Sequence, residues 1–186
     1  MEFGIVKSVI QNGQDLPTRP INIIFTSSRD APLRVRRFLN ELVRVIPYSL
    51  KINRGRQNLH QILSKAIRYN AKYVGIFRIV KGNPAGLKVI DLVTSTVKYE
   101  FNIKGVTLYS EKVKNGKKVY VDEICIKVES YGNCNDIIEM LIDIGAKGFG
   151  DCKYYALITS YDNNICELKF IDKNYTLVGP IIRFLV

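Results

Sequence analysis

Seven arginines fall between residues 26 and 56: Arg29, Arg34, Arg36, Arg37, Arg44, Arg54 and Arg56, with Arg19 just upstream. Only two carboxylates, Asp30 and Glu41, stand among them. Arginine carries a planar fork that grips a phosphate with two hydrogen bonds and stacks on a base. Lysine or glutamate would solvate a surface equally well, so a run of arginines points to an anionic partner that relieves its self-repulsion. The chemistry these residues offer is recognition of phosphate, as in nucleic acid, rather than bond-breaking.

One helix must position most of them. At about 100° per residue, Val35, Leu39, Leu42 and Ile46 share one side of a helix that Pro47 stops, with Phe38 beside them. Arg34, Arg37 and Arg44 fall roughly opposite, with Glu41 between them, and Arg36 lies apart, nearer Asn40. An Arg37–Glu41 pair at i,i+4 would account for one arginine as an ordinary solvated residue. Ser28 and Asp30 are the candidate caps, and Pro32 belongs to the first turn. Thr26, Ser27, Ser28 and Arg29 therefore bring hydroxyls and a cation to a helix start, where free N–H groups and the dipole favour an anion. Asp30 opposes that if it faces the same way. A second basic loop, Lys51, Asn53, Arg54, Gly55 and Arg56, follows a short strand, so both segments can line one surface. Tyr48, Tyr69 and Tyr73 are either stacking surfaces for unpaired bases or half-buried core residues.

The remaining pattern supplies the scaffold. Strands are predicted at 3–10, 21–26, 48–53, 72–81 and 87–93, with a loop at 11–20 and a turn at 82–86. A second helix is predicted at 59–69, capped by Asn58. Strand and helix alternate in this half, which favours α/β layer packing. The second half is richer in strands: 97–113 and 118–129 around an Asn115-Gly116 hairpin, 154–160 and 165–171 around 162–164, and 181–186. A helix capped by Asn133 or Asn135 runs to 144 and ends at Gly145 and Gly148.

Charge divides the chain the same way. The total is 28 Lys/Arg against 17 Asp/Glu, a net of +11. From Arg19 to Lys88 there are 15 basic residues against 2 acidic ones. A boundary near 94–97 gives a basic half, 1–95, and a near-neutral half, 96–186. Hydrophobic residues make up 47%, too much for a disordered tail. Cys125, Cys134, Cys152 and Cys166 form no close pair of the kind a zinc site needs, and are expected as reduced, buried thiols. No secretory signal is expected at the start, and no apolar run approaches the ~20 residues of a membrane helix.

The run Thr26-Ser27-Ser28-Arg29, Pro32, Arg34, Arg36-Arg37-Phe38, Leu42, Ile46-Pro47 and Ile52-Asn53-Arg54-Gly55 resembles the opening of the Brix domain. That family comprises ribosome-assembly factors, and this chain is similar to its minimal, archaeal-type form. Gly179-Pro180 before a last strand is similar to the family's C-terminal signature; many members carry an arginine directly after Gly-Pro, whereas here Ile181 and Ile182 precede Arg183. Charged, partner-binding extensions of the kind that eukaryotic members often carry are not expected here, so those partnerships are not carried over. The resemblance implies a non-enzymatic, cytoplasmic factor that binds precursor ribosomal RNA in ribosome biogenesis and pre-rRNA maturation, with ribosomal or assembly proteins as further partners. It implies no cofactor, no metal, no catalytic residue and no membrane. It further implies a mixed sheet with flanking helices, built as two α/β halves that each resemble an anticodon-binding domain and together form one Brix domain. The RNA-binding candidates are Thr26, Ser27, Ser28, Arg29, Arg34, Arg36, Arg37, Arg44, Lys51, Asn53, Arg54 and Arg56.

Two other readings compete. A protein adaptor would use the basic face to dock an acidic partner. A small RNA-processing enzyme would need His60, the one histidine, or a cluster of carboxylates. His60 sits in no distinctive motif, and the basic half offers only Asp30 and Glu41. Gly145, Gly148 and Gly150 follow a helix rather than joining a strand to one, so they read as helix termination and not as a phosphate loop. Asp136, Glu139 and Asp143 form an acidic stripe that reads as a solvated face.

Overall fold

In the computed structural model, which describes residues 8–11, 14–17, 19–162 and 164–186, the chain opens with an antiparallel pair, β1 (Ser8–Gln11) and β2 (Gln14–Pro17). The predicted 11–20 loop thus contains a strand, and the first part of the predicted 3–10 strand lies outside the described residues. The apolar run that follows makes β3 (Ile23–Ser27), buried along its whole length as a central parallel strand must be. Next come α1 (Leu33–Val45), β4 (Ser49–Lys51), α2 (Leu59–Arg68), β5 (Tyr73–Val80), β6 (Asn83–Asp91) and β7 (Thr96–Thr107). The rest of the chain folds as α3 (Tyr109–Lys112), β8 (Cys125–Ser130), α4 (Asn135–Asp143), β9 (Tyr154–Tyr161), β10 (Ile165–Asp172) and β11 (Leu177–Leu185).

Nine strands form one mixed sheet in the order β4-β3-β5-β6-β7-β11-β10-β9-β8. β3 runs parallel to β4 and β5, and β8 runs parallel to β9. All other neighbours are antiparallel. Each end of the sheet is thus parallel and its middle antiparallel: two parallel pairings precede two antiparallel ones from β4 to β7, one parallel pairing precedes two antiparallel ones from β8 to β11, and the two runs meet where β7 pairs with β11.

Side chains alternate across a strand, and β3 shows which helix covers which face. Ile23 and Phe25 join a core that runs from Val35, Phe38 and Leu42 of α1 through Ile137 and Leu141 of α4 to Phe184 of β11. Ile24 points the other way, into a separate cluster with Ile62 and Ala66 of α2. The larger core draws on residues before and after 94–97, where the chain turns out of β6 and starts β7 within the sheet.

Several elements depart from the sequence expectations, each for a local reason. Ser28 does not cap α1: its N–H donates to the Phe77 carbonyl and its Oγ accepts from the Ile79 N–H, so it extends the sheet, and Pro32 stands at the N-cap. Asn58 does cap α2, in a reciprocal capping box with Gln61. The turn predicted at 82–86 tightens to Lys81-Gly82, both at positive φ, so Pro84 enters β6 beside a bulge. No hairpin forms at Asn115-Gly116. β7 lies mid-sheet and β8 at its edge, because the chain leaves β7 into α3 and crosses α1, where the Val121 N–H donates to the Arg44 carbonyl at 2.8 Å. Cys134, not an asparagine, stands at the N-cap of α4.

The cysteines are not reduced thiols in this structure. Cys125 pairs with Cys152 and Cys134 with Cys166, each across a Cα–Cα distance of 5.7 Å. Residues 27 and 32 positions apart are brought together by sheet and helix packing, which cysteine spacing does not reveal.

Candidate nucleic-acid interface

The connections leaving β3 and β4 diverge, one toward α1 on the first face of the sheet and the other toward α2 on the second. Such a switch point opens a crevice at the carboxyl ends of the strands. Here the Ile52 N–H donates to the Phe25 carbonyl at 2.9 Å, holding the two loops side by side. The result is a cleft of about 220 Å³ lined by Ser27, Ser28, Asp30, Arg36, Asn53, Arg54 and Gly55. Gly55, at φ +51°, shapes the turn that presents Arg54 and Arg56. Burial, and then the charge of Arg36, hold the Lys51 ammonium below the usual lysine range. Cations at this end of the sheet outnumber its one lining carboxylate, Asp30.

The predicted contact residues separate into those that face solvent and those the fold uses. Arg29, Arg36, Arg37, Asn53 and Arg56 are exposed. Arg29, Arg36, Arg37 and Arg56 make no hydrogen bond or ion pair among the described residues. Arg54 is half-buried, its Nε donating to the Gln57 carbonyl. Ser27 is buried but reaches the cleft wall, whereas Thr26 is fully buried in β3 and does not. Arg34 is committed within the fold: it donates to Glu111 through Nε at 2.8 Å and Nη2 at 3.0 Å, to Asn83 at 2.6 Å and to the Val106 carbonyl at 3.1 Å. Glu41 does not pair with Arg37. It is buried, and its carboxylate accepts from the Tyr109 and Ser110 N–H groups and the Ser110 hydroxyl. Arg44 is half-buried, with Nη1 enclosed and without a hydrogen-bond partner.

No protein-family model matches the sequence. A probable Brix domain-containing ribosomal biogenesis protein of Sulfurisphaera tokodaii is 46% identical over 169 residues, spanning 88% of this chain and 92% of that relative. This chain belongs to the Brix domain-containing ribosomal biogenesis proteins. A second probable Brix protein, from Saccharolobus solfataricus, is 33% identical over 165 residues and matches 87% of this chain and 95% of its own. Two crystal structures share the fold. That of a probable ribosomal biogenesis protein from Aeropyrum pernix superposes with a TM-score of 0.74 at 20% identity, covering 89% of this chain and 96% of that one. That of Mil, an archaeal Imp4-like protein, superposes at 0.66 and 17% identity, covering 88% and 97%.

Within this Brix chain, the Gly-Pro signature has a packing role. A Cβ on Gly179 would lie 2.9 Å from both Val45 methyl carbons, so glycine lets α1 seat on β11. Pro180 sits where β11 skips its register against β10, at a position that leaves no ladder donor missing. Arg183 is structural: its Nε meets the buried Glu167 carboxylate at 2.7 Å and its Nη1 donates to the Thr107 hydroxyl. Of the tyrosines, Tyr73 is buried and Tyr48 is exposed. Asp143 of the acidic stripe is tied to Lys98 at 2.7 Å and to the Tyr99 hydroxyl at 2.6 Å. Burial pushes its carboxyl up, but those two bonds hold it below the usual range.

Sequence reasoning passed over the segment that crosses α1. Lys112, Lys114, Lys117 and Lys118 crowd a stretch of the near-neutral half, a signal visible in the sequence. Glu123, Cys125 and Cys152 bring a carboxylate oxygen and two sulfurs within 4.8 Å of one another, with the sulfurs joined as a disulfide. No helix of the described residues is long and apolar enough to cross a membrane.

Proposed function

We propose that this Brix chain is a non-enzymatic, cytoplasmic RNA-binding factor of ribosome biogenesis that engages precursor ribosomal RNA during its maturation. The observation that carries this reading is the switch-point cleft. Arg36 and Arg54 line it, Arg29 and Arg56 stand exposed in the same two loops, and burial, then the charge of Arg36, hold the Lys51 ammonium below its usual range. An RNA backbone supplies the missing anions. Asp30, which lines the cleft, limits how much phosphate it takes alone, so the track continues along the exposed side of α1 to Arg37 and Arg44. Arg34, spent on Glu111, acts as scaffold, and Thr26 supports the loop from within.

The parallel pairing at each end of the sheet, joined by an antiparallel run, supports two α/β halves of anticodon-binding type, 1–95 and 96–186, sharing one core with β7 at the seam between them. The relatives' names, ribosomal biogenesis proteins, support the cellular role, with ribosomal or assembly proteins as further partners. Against the enzyme reading, His60 is exposed on α2, and the described contacts pair it with no nucleophile.

The test is a salt titration of binding to single-stranded precursor-rRNA fragments. Neutralising about four to six phosphates gives a log–log slope of roughly −3 to −4. The double variant Arg36→Glu, Arg56→Glu replaces two unpaired surface arginines, so it keeps the fold, weakens binding strongly and flattens the slope. Wild-type affinity in that variant, with an unchanged circular dichroism spectrum, refutes the interface.

A further inference from the structure

A second cleft lies on the other side of α1, and nothing in the family resemblance assigns it. Its volume is about 510 Å³, and it is lined by Arg37, Asn40 and Arg44 of α1 together with Ser110, Lys118 and Tyr120 from the crossing segment. Successive helix residues diverge by about 100°, so Arg36 borders the switch-point cleft while Arg37 borders this one. The exposed side of α1 is a ridge between the two.

Three features give this cleft a chemistry. Arg44 lines it half-buried, with Nη1 enclosed and unpartnered and no carboxylate ion-paired to its guanidinium among the described residues, so the part of that cation facing the cleft attracts an incoming anion. Glu41, at the cleft floor, offers little repulsion, since its carboxylate accepts three hydrogen bonds from Tyr109 and Ser110. Tyr120, 61% exposed, gives the cleft an aromatic side chain open to solvent, together with the exposed Lys118. A flat aromatic next to three cations is how single-stranded nucleic acid is held: a base stacks, and its phosphates meet the cations. Beyond Lys118 and Tyr120 opens another hollow, about 730 Å³, whose lining mixes Lys117 and Lys153 with Asp122 and Glu123 and so favours neither sign of charge.

We propose that this cleft is a nucleotide subsite for single-stranded RNA, with a base stacked on Tyr120 and its phosphate held by Arg37, Arg44 and Lys118. The proposal rests on the RNA-binding reading above and extends it. It carries the interface into the near-neutral half of the chain and predicts a strand that crosses α1 from one cleft to the other.

The chain has no tryptophan, so Tyr120→Trp places a single indole in the subsite. The probes are a ten-nucleotide oligouridylate, an abasic oligomer of the same length and oligoglutamate, each added to the full-length protein. Oligouridylate should quench the indole, with a midpoint that matches the affinity of the same variant by anisotropy. The abasic oligomer should bind more weakly and leave the fluorescence unchanged. Tyr120→Ala should weaken oligouridylate roughly tenfold, the range of one lost stacked base, while Lys118→Ala should weaken both oligomers. Wild-type RNA affinity in both alanine variants, with an unquenched indole, overturns the subsite and leaves the switch-point interface standing. Failure of the wild-type chain to bind any RNA at low salt overturns both. Quenching by oligoglutamate but not by RNA makes the cleft a protein-docking site and overturns the inference.

Discussion

Arg34 and Arg36 stand two positions apart on α1 and do opposite work. Arg34 closes a fork onto Glu111 and reaches Asn83 and the Val106 carbonyl, tying the helix to the end of β7. Arg36 is exposed and sits close enough to Lys51 to disfavour its charge. Replacing Arg34 with alanine should destabilise the fold by about 1–2 kcal/mol, since hydrogen bonds to a charged group are lost but the pair is partly solvated. RNA affinity should change little, whereas Arg36→Ala should do the reverse. The pH dependence follows from Glu111, whose carboxyl the Arg34 hydrogen bonds hold below the usual range. A carboxylate lowered on folding adds stability that is full above its unfolded pKa, roughly 4.3, and fades as pH falls through the lowered folded value. Urea melts at neutral and acid pH should show this acid-limb loss in wild type and less of it in Arg34→Ala. Equal acid sensitivity in the two proteins would argue against the pair. The sequence marked both residues as basic, but only the arrival of Glu111, 77 residues away, distinguishes scaffold from contact.

At the scale of elements, helix α1 is the organiser. Its apolar side was legible from spacing: Val35, Phe38, Leu39 and Leu42 are all fully or almost fully buried. Its other side was only half legible. The side opposite the core is shared between solvent and the crossing segment, because buried Glu41 starts α3 and Val121 bonds the Arg44 carbonyl. Asn115-Gly116 carries a strong hairpin signal, and Asn115 does adopt positive φ, yet tertiary packing sends the flanking chain elsewhere. The seat of α1 on β11 depends on Gly179. Gly179→Ala should cost about 1–3 kcal/mol by overpacking against Val45. Val45→Ala in the same chain should recover part of that loss in a double-mutant cycle. Strict additivity of the two changes would mean that the helix does not rest on the glycine.

For the whole molecule, charge and crosslinks are distributed unequally. The excess of +11 is carried by the first half of the chain, and both disulfides lie in the second. Cys125–Cys152 joins the edge strand β8 to the loop before β9, and Cys134–Cys166 joins the start of α4 to β10. Closing loops of this length typically stabilises by about 2–4 kcal/mol each. Full reduction should therefore lower the melting temperature while leaving RNA affinity at the switch-point cleft near its oxidised value once refolded below that temperature. Calorimetry with and without reductant, beside a thiol titration of the denatured chain, checks it. Four titratable thiols before reduction would exclude the disulfides. Sequence by itself determined the α/β class, the helix that carries the arginines, the Brix opening motif and the excess of positive charge, because periodicity, capping residues and local charge are written in neighbouring positions. The tertiary structure alone decided which arginines stay free, where the lysine-rich segment lies, how the cysteines pair and that two clefts flank one helix. Those outcomes depend on groups distant in the chain meeting in space, which no local pattern encodes.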